Sequence, residues 1–98
     1  MEDKYTELLK YSNPQKVKKL VKKYLGDDVK LFVSTRKDKK YMVQDPDGKM
    51  IHFGQMGFAD FSLTDDLVKQ KNFRNRNKKW SEQDTYTPGW LSYYLLWT

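Results

Sequence analysis

Between Ser12 and Gly26 the chain spells out both ends of a helix and the face that helix has to bury. Ser12-Asn13-Pro14 sets a capping side chain ahead of a proline at the first helical position, and Gly26 stands where a helix usually stops. Inside those limits Val17, Leu20, Val21, Tyr24 and Leu25 recur at helical spacing, so they form one apolar stripe. Lys16, Lys18, Lys19, Lys22 and Lys23 fall on the remaining surface. Such a stripe has to be covered by another layer, and in so short a chain it is needed for the core. That argues against spending it on a membrane surface.

The covering layer comes next in the sequence. Residues Val29 to Ser34, Lys40 to Gln44 and Lys49 to Phe53 read as three strands. In the first, Val29, Leu31 and Val33 alternate with Lys30, Phe32 and Ser34; in the third, Ile51 and Phe53 alternate with Met50 and His52. Asp45-Pro46-Asp47-Gly48 joins the second to the third as a tight reversal, proline presetting one turn position and glycine accepting the left-handed one. The first connection, Thr35 to Lys39, is longer and highly charged. A three-stranded antiparallel meander is the simplest arrangement.

Around this pair of layers the sequence predicts a short helix over Asp3 to Tyr11. It also predicts an ordered loop over Gly54 to Phe61, packed by its own aromatic rings. Thr64 is expected to cap a basic helix running to Trp80, with Asp65 and Asp66 in its first turn and Lys78 and Lys79 at its far end. Leu67, Val68, Lys71 and Phe73 give it only a weak stripe, so it should be mostly exposed. Residues Ser81 to Thr87 read as a loop, and Pro88 opens an apolar helical segment to Trp97 that should complete the core. The expected fold class is α+β, a small three-stranded antiparallel meander packed by an N-terminal amphipathic helix, a basic helix and an apolar C-terminal helical segment. One domain over residues 1–98 is expected, with helical regions at 1–26 and 64–98 around a meander at 29–53.

Several kinds of chemistry are set aside by composition. There is no cysteine, so neither a disulfide framework nor a thiolate metal site is expected. No apolar run approaches a membrane span and no basic leader precedes an apolar stretch, which predicts a protein without transmembrane segment or signal peptide. His52 is the sole histidine, with Asp60 as the one acid placed to orient it; a structural histidine at a strand end is the plainer reading, and no catalytic residue, metal ligand or cofactor is assigned. Asp45 and Asp47 belong to the turn, since the later ligands of a calcium loop are missing.

Charge is laid down in blocks: +6 over residues 1 to 40, −4 over 41 to 66, +6 over 67 to 80 and −2 over 81 to 98. The third block has no acid at all. Lys69, Lys71, Arg74, Arg76, Lys78 and Lys79 suit phosphates, Asn75 with its neighbours Asn72 and Asn77 adds amides, and Trp80 or Phe73 could stack on an unpaired base. The site expected is therefore Lys69, Lys71, Arg74, Asn75, Arg76, Lys78, Lys79 and Trp80. Its partner would be nucleic acid, DNA or RNA, bound without catalysis and with little sequence specificity. The alternative is a solvated helix face, or a surface that docks on acidic protein faces.

Lys39-Lys40-Tyr41-Met42-Val43, Asp45-Pro46-Asp47-Gly48-Lys49, Ile51-His52-Phe53-Gly54-Gln55-Met56-Gly57-Phe58 with Asp60-Phe61, and Tyr86-Thr87-Pro88-Gly89-Trp90 through Trp97 together form a larger pattern. It resembles a family of small basic proteins of unknown function encoded by large nucleocytoplasmic DNA viruses. The resemblance implies a viral protein of the host cytoplasm, the viral factory or the virion. There it would bind nucleic acid or, alternatively, serve as a minor capsid or cement component docking through charged patches and the aromatic tail. Members of that family carry a threonine, a second histidine, an acid and paired arginines after the His-Phe-Gly region. Here Ser62-Leu63-Thr64-Asp65-Asp66-Leu67 has no histidine, and Lys69-Gln70-Lys71 replaces the arginines. The departure speaks against two-histidine chemistry and leaves the basic character intact.

Overall fold

The computed structural model describes residues 3–98 and has five α-helices and one three-stranded antiparallel sheet, a small α+β fold. Helix α1 (Lys4–Leu8) is capped by Asp3, whose carboxylate accepts the Thr6 N–H at 2.8 Å. Helix α2 (Pro14–Leu25) starts at Asn13, whose side chain accepts from Gln15 and Lys16, and ends at Gly26. Of its stripe, Val17 and Val21 are fully buried and Leu20, Tyr24 and Leu25 pack around them.

Strands β1 (Leu31–Val33), β2 (Lys39–Gln44) and β3 (Met50–Gln55) pair in sequence order. The first is shorter than its alternation predicted, because the Val29 N–H turns back to the Gly26 carbonyl instead of joining the ladder. The predicted reversal closes through Gly48 N–H to the Asp45 carbonyl at 3.0 Å, and the Asp45 carboxylate accepts from Asp47 and Lys49. Register places Tyr41 opposite Phe53 and Val43 opposite Ile51, so these four share the face turned to the core, while Phe32, Met42 and His52 line up on the other face.

The third layer is the C-terminal segment. Thr87 caps α5 (Pro88–Leu91), which runs on into a π-helical turn, Ser92–Leu96. Leu91, Leu95 and Leu96 are buried with Leu8, Val17, Val21, Tyr41, Val43 and Phe53 in one core, and Trp90 and Trp97 pack against it. The aromatic tail is thus part of the core. Gly54 makes that closure possible: it has φ 81°, and a Cβ there would sit 2.8 Å from Leu96 and 3.2 Å from Lys40. Among the described residues no helix is long and apolar enough to cross a membrane.

Two expectations for the region after β3 need correcting. The rings of the loop do not pack on one another, since Phe58 is 68% exposed; what orders the loop is polar, as shown below. The basic helix also begins later than Thr64. A short helix, α3 (Phe61–Thr64), intervenes, capped by Asp60 and ended by Asp65 in the left-handed conformation with φ 53°. Asp65 then pairs with Lys16 at 3.1 Å, and Asp66 is the residue that caps the basic helix, α4 (Leu67–Arg76).

Candidate functional site

Helix α4 buries none of its own side chains, so its position depends on a few contacts at its edges. The Asp66 carboxylate accepts the Val68 and Lys69 N–H groups at 3.1 Å each, satisfying donors that would otherwise have no partner. One side then meets the C-terminal segment. Gln70 donates to the Trp97 carbonyl at 3.2 Å, the Phe73 ring stacks on Trp97 with centroids 4.4 Å apart, and the Arg74 guanidinium lies 4.5 Å over the Tyr93 ring.

After Asn77 the chain tightens into a 3₁₀ turn, Lys78–Glu82, in place of the continuous helix predicted to Trp80. That turn brings the Trp80 indole edge-on to Phe73 at 5.8 Å and over Gly89, where a Cβ would lie 2.8 Å from the ring. Glycine at 89 is therefore what lets the indole seat. Phe73, Trp80 and Trp97 form a three-ring wall joining α4 to the end of the chain.

Between that wall and the end of the sheet lies a groove of about 890 Å³. Lys69, Asn72, Phe73 and Arg76 line it from α4, and Lys39 and Gln55 from the strand ends. Among the described residues no carboxylate lines it. Phe58 also borders it, and the backbone carrying that ring is pinned on both sides: Met56 N–H donates to the Asp38 carbonyl at 2.9 Å and Asp60 N–H to the Tyr11 carbonyl at 3.0 Å. The Phe58 carbonyl itself accepts from Lys40 Nζ at 2.5 Å.

Lys40 is a residue whose role the sequence did not disclose. It is 2% exposed, pairs with Asp60, 1% exposed, at 3.0 Å, and also donates to the Tyr11 carbonyl at 3.4 Å. All three ammonium protons thus find acceptors. Burial pushes its ammonium below the usual lysine range, with Asp60 opposing. The other Asp60 oxygen accepts from the Ser62 N–H at 3.0 Å and from the Ser62 hydroxyl. Ser62 is 3.1 Å from the Ser12 hydroxyl, which is 2.6 Å from the Tyr41 hydroxyl, and Asn13 N–H donates to Ser62 at 2.9 Å. Burial raises the Tyr41 phenol above its usual range. The network holds the start of α2, the 56–62 loop and β2 together.

Each predicted site residue can now be placed. At 3.6 residues per turn, positions 69, 72, 73 and 76 fall within about 100° of one another, whereas Lys71 points roughly the opposite way and Asn75 to the side. Lys69, Arg76 and Trp80 therefore come together at the groove, joined by Lys39, Asn72, Phe73 and Phe58, which the predicted set lacked. Arg74 is committed to Tyr93. Lys71, Asn75, Lys78 and Lys79 are exposed and do not line the groove, so the single outward cluster expected from the sequence is in fact divided. The carboxylate of Asp60 is occupied by Lys40 and Ser62, and His52 Nδ1 lies 2.6 Å from the Ser34 hydroxyl, so these two serve separate structural contacts. Among the described residues no three His, Asp or Glu side chains converge as metal ligands.

Residues 29–77 match the model of a family of unknown function, DUF5754. The chain belongs to that family. The match takes in the meander, the Lys40–Asp60 pair and α4, and it leaves out α2 and the C-terminal segment that supplies Trp80 and Trp97. No curated protein and no solved structure matches the chain.

Proposed function

We propose that this protein is a non-enzymatic nucleic-acid-binding module of low sequence specificity, acting through α4 and the groove beside it. The observation that carries this reading is the groove's lining: Lys39, Lys69 and Arg76 stand around aromatic rings, and among the described residues no acidic side chain lines the groove to neutralise them. A polyanion offers such a site both charge and, where bases are free, flat faces. The exposed Lys71 of α4 and Lys78 and Lys79 of the 3₁₀ turn extend the same positive field and steer an anionic partner toward it. The resemblance to small basic proteins of large DNA viruses fits a place in a viral factory, with viral nucleic acid at hand. Docking as a capsid or cement component is the less favoured reading, because the aromatic tail that would serve it is occupied in the core.

Salt-titrated retention of DNA and RNA by the purified protein tests the proposal. Log affinity should fall linearly with log salt, with a slope of about −2 if three groove cations meet a single strand and about −3 if the outer lysines Lys71, Lys78 and Lys79 meet a duplex. Affinity indifferent to salt, or no retention of either nucleic acid, would refute it.

A further inference from the structure

Resting on the nucleic-acid reading, we propose that the groove takes the unpaired bases of a single strand, with Phe58 as its stacking platform and Lys69 and Arg76 along the phosphates. Phe58 is the basis of this choice. A large ring left 68% exposed forgoes the gain of burial, yet here its backbone is held by Met56, Asp60 and the buried ammonium of Lys40, so the ring is presented rather than merely loose. It borders a concavity that Phe73, Trp80 and Trp97 also line. Flat faces on the walls and cations with an amide, Asn72, along one side are what a base with its attached phosphate fills.

A duplex does not fit that arrangement. Its bases are already stacked on one another and its phosphates lie on a convex surface, so a duplex reaches only the surface outside the groove, where Lys71 and Asn75 of α4 and Lys78 and Lys79 of the following 3₁₀ turn are exposed. The surfaces inside and outside the groove therefore separate the two ligands. Groove residues decide affinity for a single strand, and outer-face residues decide affinity for a duplex.

The test is filter binding of the full chain to an oligothymidylate of about 20 nucleotides, longer than one binding site, and to a duplex of equal length at matched salt. The single strand is expected to bind at least tenfold more tightly. Phe58→Ala, at a position too exposed to threaten folding, should weaken it by about 5- to 150-fold, the range for loss of one stacked base. Lys71→Gln with Lys78→Gln should weaken the single strand less than Lys69→Gln with Arg76→Gln does. If binding persists but the duplex is bound as tightly, or Phe58→Ala changes nothing, the single-strand inference is overturned while the broader reading stands. If neither ligand is retained, both fail.

Discussion

Helices α2 and α4 are both rich in lysine, and they do opposite things with it. In α2 the cations are what remains after Val17 and Val21 have been buried; they stand in solvent around a helix whose position is fixed by the core. In α4 nothing is buried. Leu67 and Val68 are each 69% exposed, and the helix is held at its edge by a ring stack, a side-chain amide and a cation over a tyrosine. Charge of one sign thus carries different information in the two helices. Where an apolar stripe explains why a helix is present, its lysines need no further explanation; where no stripe exists, the polar side chains are the more informative part. The lining of the groove belongs to the second kind.

The largest expected effect lies on the α2 side. Asp60→Asn leaves the Lys40 ammonium buried without its counter-charge, and urea unfolding should register a loss of about 3–5 kcal/mol. A loss below about 1 kcal/mol would mean that the network does not anchor α2. Next, Val21→Ala should cost about 2 kcal/mol of global stability, while Phe73→Ala should cost about 1 kcal/mol and speed amide exchange in α4 alone. Equal, global losses from both would erase the distinction between a core helix and an edge-held one.

The comparison sharpens further in binding. Lys69→Gln with Arg76→Gln should lower nucleic-acid affinity about tenfold, or 1.4 kcal/mol, whereas Lys19→Gln with Lys22→Gln should change it less than about twofold. Equal effects would make the chain a uniformly basic surface with no site. The smallest effect belongs to His52, on the sheet face that neither helix covers. Partial burial, then Arg36 and Lys4, hold its imidazole below the ordinary value of 6.5, so the unfolded chain binds the proton more readily. Its contribution to stability is complete above pH 6.5 and declines as pH falls below that value toward the depressed one. His52→Gln should flatten a shallow fall in melting temperature between pH 7 and 5, and leave the binding contrast between the two helices as it was.

Much of the architecture was legible because local signals agreed with long-range ones. Asn13, Pro14 and Gly26 bounded α2, the alternation of Ile51 and Phe53 oriented β3, and Asp45 to Gly48 fixed the hairpin. The start of α4 was misplaced because Thr64, Asp65 and Asp66 are all acceptable caps. Only the tertiary contact of Asp65 with Lys16 and its left-handed backbone show that the middle one ends α3. Lys40 was hidden for a different reason. A lysine in a strand reads as solvent-facing, and its acceptors at Tyr11, Phe58 and Asp60 are scattered along the chain. Within the site, the cation cluster was visible but its division was not. A helical wheel separates Lys69 from Lys71, yet which side faces the groove depends on Phe73 meeting Trp97 across the tail.

The positions of the three tryptophans make the molecule its own optical reporter. Trp90 lies against Tyr24 and Tyr94, at the far end of α2, while Trp80 and Trp97 flank Phe73 beside the groove. Emission from Trp90 alone follows the docking of α2, and emission from the other two follows what enters the groove. Replacing Trp80 and Trp97 together, or Trp90 by itself, with phenylalanine would separate folding from occupancy without any attached dye.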